Sequence, residues 1–238
     1  MFYGRGSGID SLFFCLIELK TLTSQLYICV ERKTYIEMTT VKNKRELREL
    51  INQRIVRYGY NCNLNDIDVS KITDMSELFQ DSKFNGDISE WDVSNVRDMS
   101  YMFDHSQFDG DLSKWNVGKV RNMNFMFSSS LFDGDISKWN VSNVEEMSCM
   151  FRDSQFNGDL SKWNVSSVMY MECMFSRSQF NGDISKWNVS RVYNMDYMFY
   201  RSKFNGDLRD WKVRLAHAEE MFCESPLEGR EPDWYVEY

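Results

Sequence analysis

The sequence predicts an α/β repeat solenoid built from coils of 24 residues, each a short strand plus a short helix, behind an N-terminal capping helix. Three observations predict it. Six of the seven tryptophans (Trp91, Trp115, Trp139, Trp163, Trp187 and Trp211) lie 24 residues apart, and a fixed period of this size is the signature of a repeat array. Around each runs nearly the same phrase, first seen as Phe84-Asn85-Gly86-Asp87-Ile88-Ser89-Glu90-Trp91-Asp92-Val93 and continuing to Val96, Met99, Met102 and Phe103. The copies also degrade at both ends, as terminal repeats do when one face meets water instead of a neighbour.

Residues 1–37 match nothing downstream and hold neither a helical nor a strand period for long. They are expected to form an unassigned extension, packed loosely or not at all, with Met38 as an alternative translation start. Residues 38–59 are expected to be the cap. Asn43 with Glu46 three positions on has the form of a capping box. Leu47, Leu50, Ile51 and Ile55 then recur on one helical face, and Gly59 can end a helix in the left-handed conformation. A basic helix of this kind can bind membranes or nucleic acid, but a repeat stack needs an end with one apolar and one polar face, and the cap reading is preferred.

Residues 60–226 read as seven coils. The opening one carries Ile67 in the tryptophan position and Cys62 in place of glycine; close copies begin at Phe84, Phe108, Phe132, Phe156 and Phe180. The copy at Phe204 is eroded, with Met221-Phe222 arriving one residue early, and residues 227–238 read as a partial coil or C-terminal cap. Within a coil, Ile88, Trp91 and Val93 suit extended backbone, although the centre of the strand could be Ile88 or Trp91. Val96, Met99, Met102 and Phe103 fall at three- and four-residue steps, which predicts one to two helical turns. Asn85-Gly86 is a turn signal, with glycine available for φ > 0. Stacked coils would make one tryptophan column with rungs about 5 Å apart.

Composition narrows the function. A formal net charge of −8 argues against broad nucleic-acid binding, which needs basic surface to neutralise phosphates. No stretch reaches the roughly 18–20 apolar residues of a membrane span, and the apolar run 12–17 is too short for a secretory h-region. The cysteines Cys15, Cys29, Cys62, Cys149, Cys173 and Cys223 form no CxxC pair and no regular framework, so free thiols are expected. Only Cys149 and Cys173 share a repeat phase and could stack as neighbours.

Several polar columns could carry chemistry. Asp87, Asp111, Asp135, Asp159, Asp183 and Asp207 place one acid in each coil. The expectation is that each sits near the surface and accepts turn N–H groups; the sharper alternative is a weak calcium ladder, for which six to eight oxygens are required. Columns headed by Asp92, Ser89 and Ser82 are expected to hydrogen-bond along the stack. Asn140, Asn164 and Asn188 match the glycosylation sequon only as ladder members. No nucleophile lies beside a base and nothing breaks the repeat, so no catalytic residue and no cofactor is expected. The positions that do vary are Tyr101, Phe125, Cys149, Cys173 and Tyr197, with Asp104, Ser128, Arg152, Ser176 and Tyr200 on a second phase. They are the candidate partner face.

The phrase F-[ND]-G-D-[IL]-S-x-W-[ND]-V-x-x-V-x-x-M-x-x-M-F-x-x-S resembles the repeats of BspA-like leucine-rich-repeat surface proteins, found in bacteria, mycoplasmas, protists and giant viruses. It covers about residues 39–236 and departs from the commonest form in having Gly86 where that form has glutamine, and one residue fewer before the phenylalanine. The resemblance implies a right-handed, leucine-rich-repeat-like solenoid and a role in binding, often adhesion at a surface, without enzymatic activity. The expected function is a non-enzymatic scaffold for contact with an as yet unidentified protein partner or a host surface. The alternative is a structural or cation-stabilised particle component.

Overall fold

In the computed structural model the chain divides into two units, residues 1–37 and 38–238, and the structure describes residues 38–214 and 217–236. The expected extension, with Cys15 and Cys29, lies outside the described residues. The second unit begins with β1 (Thr39–Thr40), continues through α1 (Lys44–Tyr58) and returns in β2 (Ile67–Asp68), which pairs with β1 in parallel register.

Helix α1 is bounded by the residues the sequence marks. Asn43 Oδ1 accepts the Glu46 N–H at 3.0 Å, and the Glu46 carboxylate accepts the Lys42 N–H at 2.9 Å. Gly59, at φ 86°, donates its N–H to the Ile55 carbonyl at 2.8 Å. Leu47 and Ile51 are buried, with Leu50 and Ile55 packed at their edge. The basic face is largely engaged by the first coil: Lys44 pairs with Asp74 at 3.1 Å, Arg54 with Asp66 at 2.5 Å, and Arg48 donates to the Glu77 carbonyl at 3.1 Å. The positive charge of α1 thus matches acids of its own chain.

From Asp74 onward, successive 24-residue coils are joined in register. Parallel bridges link Asp74 to Asp98, then Asn122, Glu146, Tyr170 and Asn194, and the last link, to His217, absorbs the one-residue deletion. This ladder does not run through Ile88 or Trp91. It runs through the stretch whose three- and four-residue spacing predicts a helix; among the described residues the only α-helix is α1.

The hydrogen bonds explain the difference. The N–H groups of Met99, Tyr101, Phe103 and His105 donate to the carbonyls of Asn122, Asn124, Met126 and Ser128 in the next coil, at 2.8–3.0 Å. Between them, Met102, Asp104 and Ser106 donate back three residues within their own coil, at 3.1–3.2 Å. Consecutive turns give the same three-residue apolar step as a helix, but free alternate donors to tie the coils together. Each backbone donor in the stretch is satisfied, as buried backbone requires.

This arrangement puts L residues into the left-handed region at two positions per coil. Tyr101, Phe125, Cys149, Cys173 and Tyr197 have φ of 53–58°, and so do His105, Asp153, Arg177 and Arg201, with Ser129 at 51°. The left-handed conformation costs an L residue about 1–2 kcal/mol, which glycine avoids while losing some chain entropy. Ser129→Gly is therefore expected to raise the unfolding free energy by up to about 1 kcal/mol, whereas Ser129→Val should lower it. Chemical denaturation of the three proteins checks this, and a glycine variant weaker than the valine one would refute it.

The core is a stack of aromatic columns. Phe79, Phe103, Phe127, Phe151, Phe175, Phe199 and Phe222 lie nearly parallel at 5.5–5.8 Å between centroids. A second column, Phe84 to Phe204, repeats at 6.2–6.4 Å and meets the first at 4.2–4.7 Å. Trp91, Trp115, Trp139, Trp163, Trp187 and Trp211 are 3–4% exposed. Each donates its indole N–H to the carbonyl 27 residues earlier, from Trp91 to Leu64 through Trp139 to Leu112 to Trp211 to Ile184, at 2.9–3.1 Å. The tryptophan is at once filler and latch.

Gly86, Gly110, Gly134, Gly158, Gly182 and Gly206 are not in the left-handed region. A Cβ at any of them would fall 2.5–2.9 Å from the phenylalanine ring two residues earlier. The glycine of the turn phrase is there for close approach, not for positive φ.

Candidate functional site

The candidate partner face follows directly from the inter-coil ladder, whose alternate left-handed residues project one side chain per coil. Tyr101 and Phe125 stack at 4.5 Å with planes 7° apart. At the far end, Tyr197 meets Tyr200 edge-on at 5.8 Å, the Arg201 guanidinium lies 5.0 Å over the Tyr200 ring, and Arg201 holds Glu224 at 2.6 Å. Tyr101, Phe125 and Tyr197 are half-buried. Burial, then the nearby Cys149 and Asp104, push the Tyr101 phenol up; burial and Glu219 do the same for Tyr197. Both tyrosines present a neutral hydroxyl and a ring edge.

Two sequence expectations need correction here. Cys149 is 4% exposed and offers a partner almost no surface, because its short side chain does not reach out of the core as the Phe125 ring of the same column does. On the second phase Asp104, Ser128 and Ser176 are buried, leaving Arg152 and Tyr200 partly open. Asp104 is occupied by Gln80 Nε2 at 2.9 Å and His105 Nδ1 at 2.8 Å. Conversely, Tyr170 (42% exposed) and Tyr193 (59% exposed) had not been singled out. Their signal was available: Tyr170 stands in a column otherwise made of Asp98, Asn122, Glu146 and Asn194, and Tyr193 follows Arg97, Arg121, Glu145 and Met169. Tyr193 lines a shallow cavity of about 370 Å³ with Ser190, Arg191, Val192 and Arg214.

The polar columns do not bond along the stack as expected. Asp111, Asp135, Asp159 and Asp183 each accept the N–H of the serine two residues on, at 2.8–2.9 Å, and Asp87 does so at 3.0 Å. Asn140, Asn164 and Asn188 do the same at 3.1–3.2 Å. Buried Ser106, Ser130, Ser154, Ser178 and Ser202 accept the N–H of the phenylalanine two residues on, at 3.2–3.3 Å. These are local turns, which short polar side chains favour because their oxygen reaches the backbone two residues ahead. The side-chain ladder between coils lies elsewhere. Asn85, Asp109, Asp133, Asn157 and Asn181 each accept the backbone N–H of the equivalent residue one coil later, at 2.8–3.0 Å.

The aspartate column therefore spends one oxygen per residue on the backbone, and Asp87 also accepts from Asn63 Nδ2 at 3.0 Å. Among the described residues no group of three or more His, Cys, Asp and Glu converges as metal ligands. Among them, too, no buried side-chain nitrogen or oxygen lacks a hydrogen bond, and no helix is long and apolar enough to cross a membrane.

Hydrogen bonds from the serine hydroxyl and N–H hold the Asp111, Asp135 and Asp159 carboxyls below the usual range, and Asp183 likewise. Asp207 is held at about 2 by Arg209. A folded-state pKa below the unfolded one gives stability that is complete above the unfolded value, about 3.9, and lost as pH falls through the folded values. The thermal midpoint is expected to be flat from neutrality down to the ordinary carboxylate range and to fall below it. Asp135→Asn keeps the turn acceptor, as Asn140 does in the same coil, and should leave the neutral midpoint unchanged while softening the acid decline. Thermal melts across pH check this; an unchanged acid limb would contradict it.

Comparison with curated proteins finds no match to this chain. Comparison with solved structures also finds none. The model of a family described as Mycoplasma protein of unknown function, DUF285, matches residues 48–155 and again residues 128–229. Two overlapping matches to one model are what a tandem array of similar coils produces, and together they span the whole stack described above. The chain belongs to the DUF285 repeat family.

Proposed function

We propose that residues 60–226 form a right-handed, leucine-rich-repeat-like solenoid that acts as a non-enzymatic scaffold for protein–protein contact, in a surface or adhesion setting like that of the proteins its phrase resembles. Its contact face is the column Tyr101, Phe125, Cys173 and Tyr197 with neighbouring Tyr200. The observation that carries this reading is the pairing of fixed and free positions. Polar groups that recur in every coil are taken up by turn hydrogen bonds, while this column varies and presents stacked, half-buried aromatics. Tyrosine and arginine, which meet at Tyr200 and Arg201, are the residue types that dominate interface energetics. Chemistry would need a catalytic group outside these bonds, and the repeated coils give none a distinct setting.

The test is capture of partners on immobilised wild type and on a Tyr101→Ser, Phe125→Ser, Tyr197→Ser variant whose melting midpoint has been matched to the wild type. Loss of specific partners from the variant is the expected result. Retention of all of them would move the contact elsewhere, with Tyr170 and Tyr193 the next residues to change.

A further inference from the structure

The column that carries Tyr101 and Phe125 also places two thiols on neighbouring coils. Cys149 and Cys173 occupy the same phase 24 residues apart and share one backbone geometry, with φ of 58° and 53°. Cys149 donates its N–H to Glu172 O and Cys173 to Asp196 O, both at 2.8 Å, so each is fixed in the inter-coil ladder. Rungs of such a ladder are about 4.8 Å apart, inside the roughly 4.4–6.8 Å between Cα atoms that a disulfide spans. Two coils earlier, the Tyr101 and Phe125 rings touch at 4.5 Å, so side chains of this column meet across a rung. The two thiols hydrogen-bond to each other, and Arg152 hydrogen-bonds to Cys149. Both are free cysteines, Cys149 buried and Cys173 partly open.

We propose that Cys149 and Cys173 are a modification site: a dithiol that reacts with a low-molecular-weight disulfide, such as oxidised glutathione, to form an inter-coil disulfide. The Cys173 thiolate attacks one sulfur of the small disulfide, whose S–S bond breaks and releases one thiolate. Cys149 then loses its proton to the released thiolate and attacks Cys173 Sγ, expelling the second small group as a thiolate, which takes up the proton that Cys173 gave to water on forming its own thiolate. Two protein thiols are oxidised to one disulfide and one small disulfide is reduced to two thiols, so atoms, protons and electrons balance.

The two sites suit these separate roles. Thiol–disulfide exchange needs an accessible thiolate to attack and a second thiol near enough to resolve the mixed disulfide. Cys173 is the accessible one, and the hydrogen bond from Cys149 together with the Arg152 charge holds its thiol below the ordinary value despite burial. Cys149, donating that bond from a buried position, is pushed up. The bond would staple two coils between Phe125 and Tyr197, which the aromatic neighbours cannot do. Cys62 and Cys223, the other described cysteines, stand on other phases and have no thiol neighbour of this kind.

The experiment uses the full chain. Native protein is incubated with oxidised glutathione, remaining thiols are blocked with N-ethylmaleimide, and linked peptides are mapped by mass spectrometry, with a parallel sample oxidised in urea. The expected result is one dominant link, Cys149 to Cys173, in native protein and a spread of links in urea. Cys149→Ser should stop at a glutathione adduct on Cys173, and Cys173→Ser should leave Cys149 as a free thiol. Absence of the link from native protein, or a yield no higher than in urea, overturns the proposal; this comparison on wild type decides even if the serine variants do not fold.

Discussion

Replacing Trp139 by alanine is expected to cost about 3–5 kcal/mol of unfolding free energy, the range for emptying a buried aromatic site. Two losses combine. The indole leaves a cavity among Phe127 and the neighbouring coils, and the Leu112 carbonyl loses the N–H that reached it at 3.0 Å. That carbonyl keeps the Trp115 N–H at 3.1 Å, so the second loss is one net hydrogen bond, about 0.5–1.5 kcal/mol. Trp139→Phe separates the terms, because it keeps a ring but not the donor, and is expected to fall near half the alanine effect. In a stack whose coils touch only their neighbours, stability is a sum of coil and interface terms. The alanine variant is therefore expected to split a single urea transition into two, with the array parting near Trp139. Equal costs for phenylalanine and alanine would show that the latch contributes nothing.

The second large effect is expected at Gly86. A Cβ there would lie 2.0 Å from the Cys62 carbonyl oxygen and 2.7–2.8 Å from the Phe84 ring. That carbonyl accepts the Asp87 N–H at 3.2 Å, so it cannot retreat without breaking a bond between the first two coils. Overpacking a tight site costs about 1–3 kcal/mol, occasionally more, and Gly86→Ala should exceed the upper end because the obstacle is backbone. Gly134→Ala, which is crowded by the Phe132 ring at 2.8 Å while the nearest backbone atom, the Gly110 carbonyl oxygen, stands off at 3.5 Å, should stay within that range. Gly118→Ala, whose nearest neighbours are the Asn116 Oδ1 and Asn140 Nδ2 side-chain atoms at 3.2 and 3.5 Å, should change stability by less than about 0.5 kcal/mol, as surface substitutions do. Urea midpoints for the three variants test the order; a Gly86 variant no weaker than the Gly118 one would refute the contact argument.

Much of this molecule can be read from its sequence, for identifiable reasons. The 24-residue period and its apolar positions recur in every coil, so a column such as Phe84, Phe108 and Phe132 is visible without coordinates. The ends of α1 are equally legible, because the capping bonds of Asn43, Glu46 and Gly59 are made within a few residues. Local turns carry their own chemistry, and the aspartate column shows it: the expected turn acceptance is the bond that Asp111 makes to Ser113.

What the sequence could not decide is where the backbone donors go. Three- and four-residue spacing fits a helix and a run of turns alike, and only the neighbouring coil settles the matter, by accepting the N–H groups of Met99, Tyr101, Phe103 and His105. The same cause places the candidate site. Left-handed φ at Tyr101, Phe125 and Tyr197 is imposed by donors pointing at the next coil, and no propensity of these residues would announce it. Burial of Cys149 beside Cys173, exposure of Tyr193, and the reach of Trp139 to Leu112 are likewise relations between coils. The sequence by itself determined the period, the apolar columns and the helix ends, because each depends on residues close together or repeated. The tertiary structure decided the backbone conformation of the coil and which variable side chains face out, because both depend on hydrogen bonds to residues about 23–27 positions away.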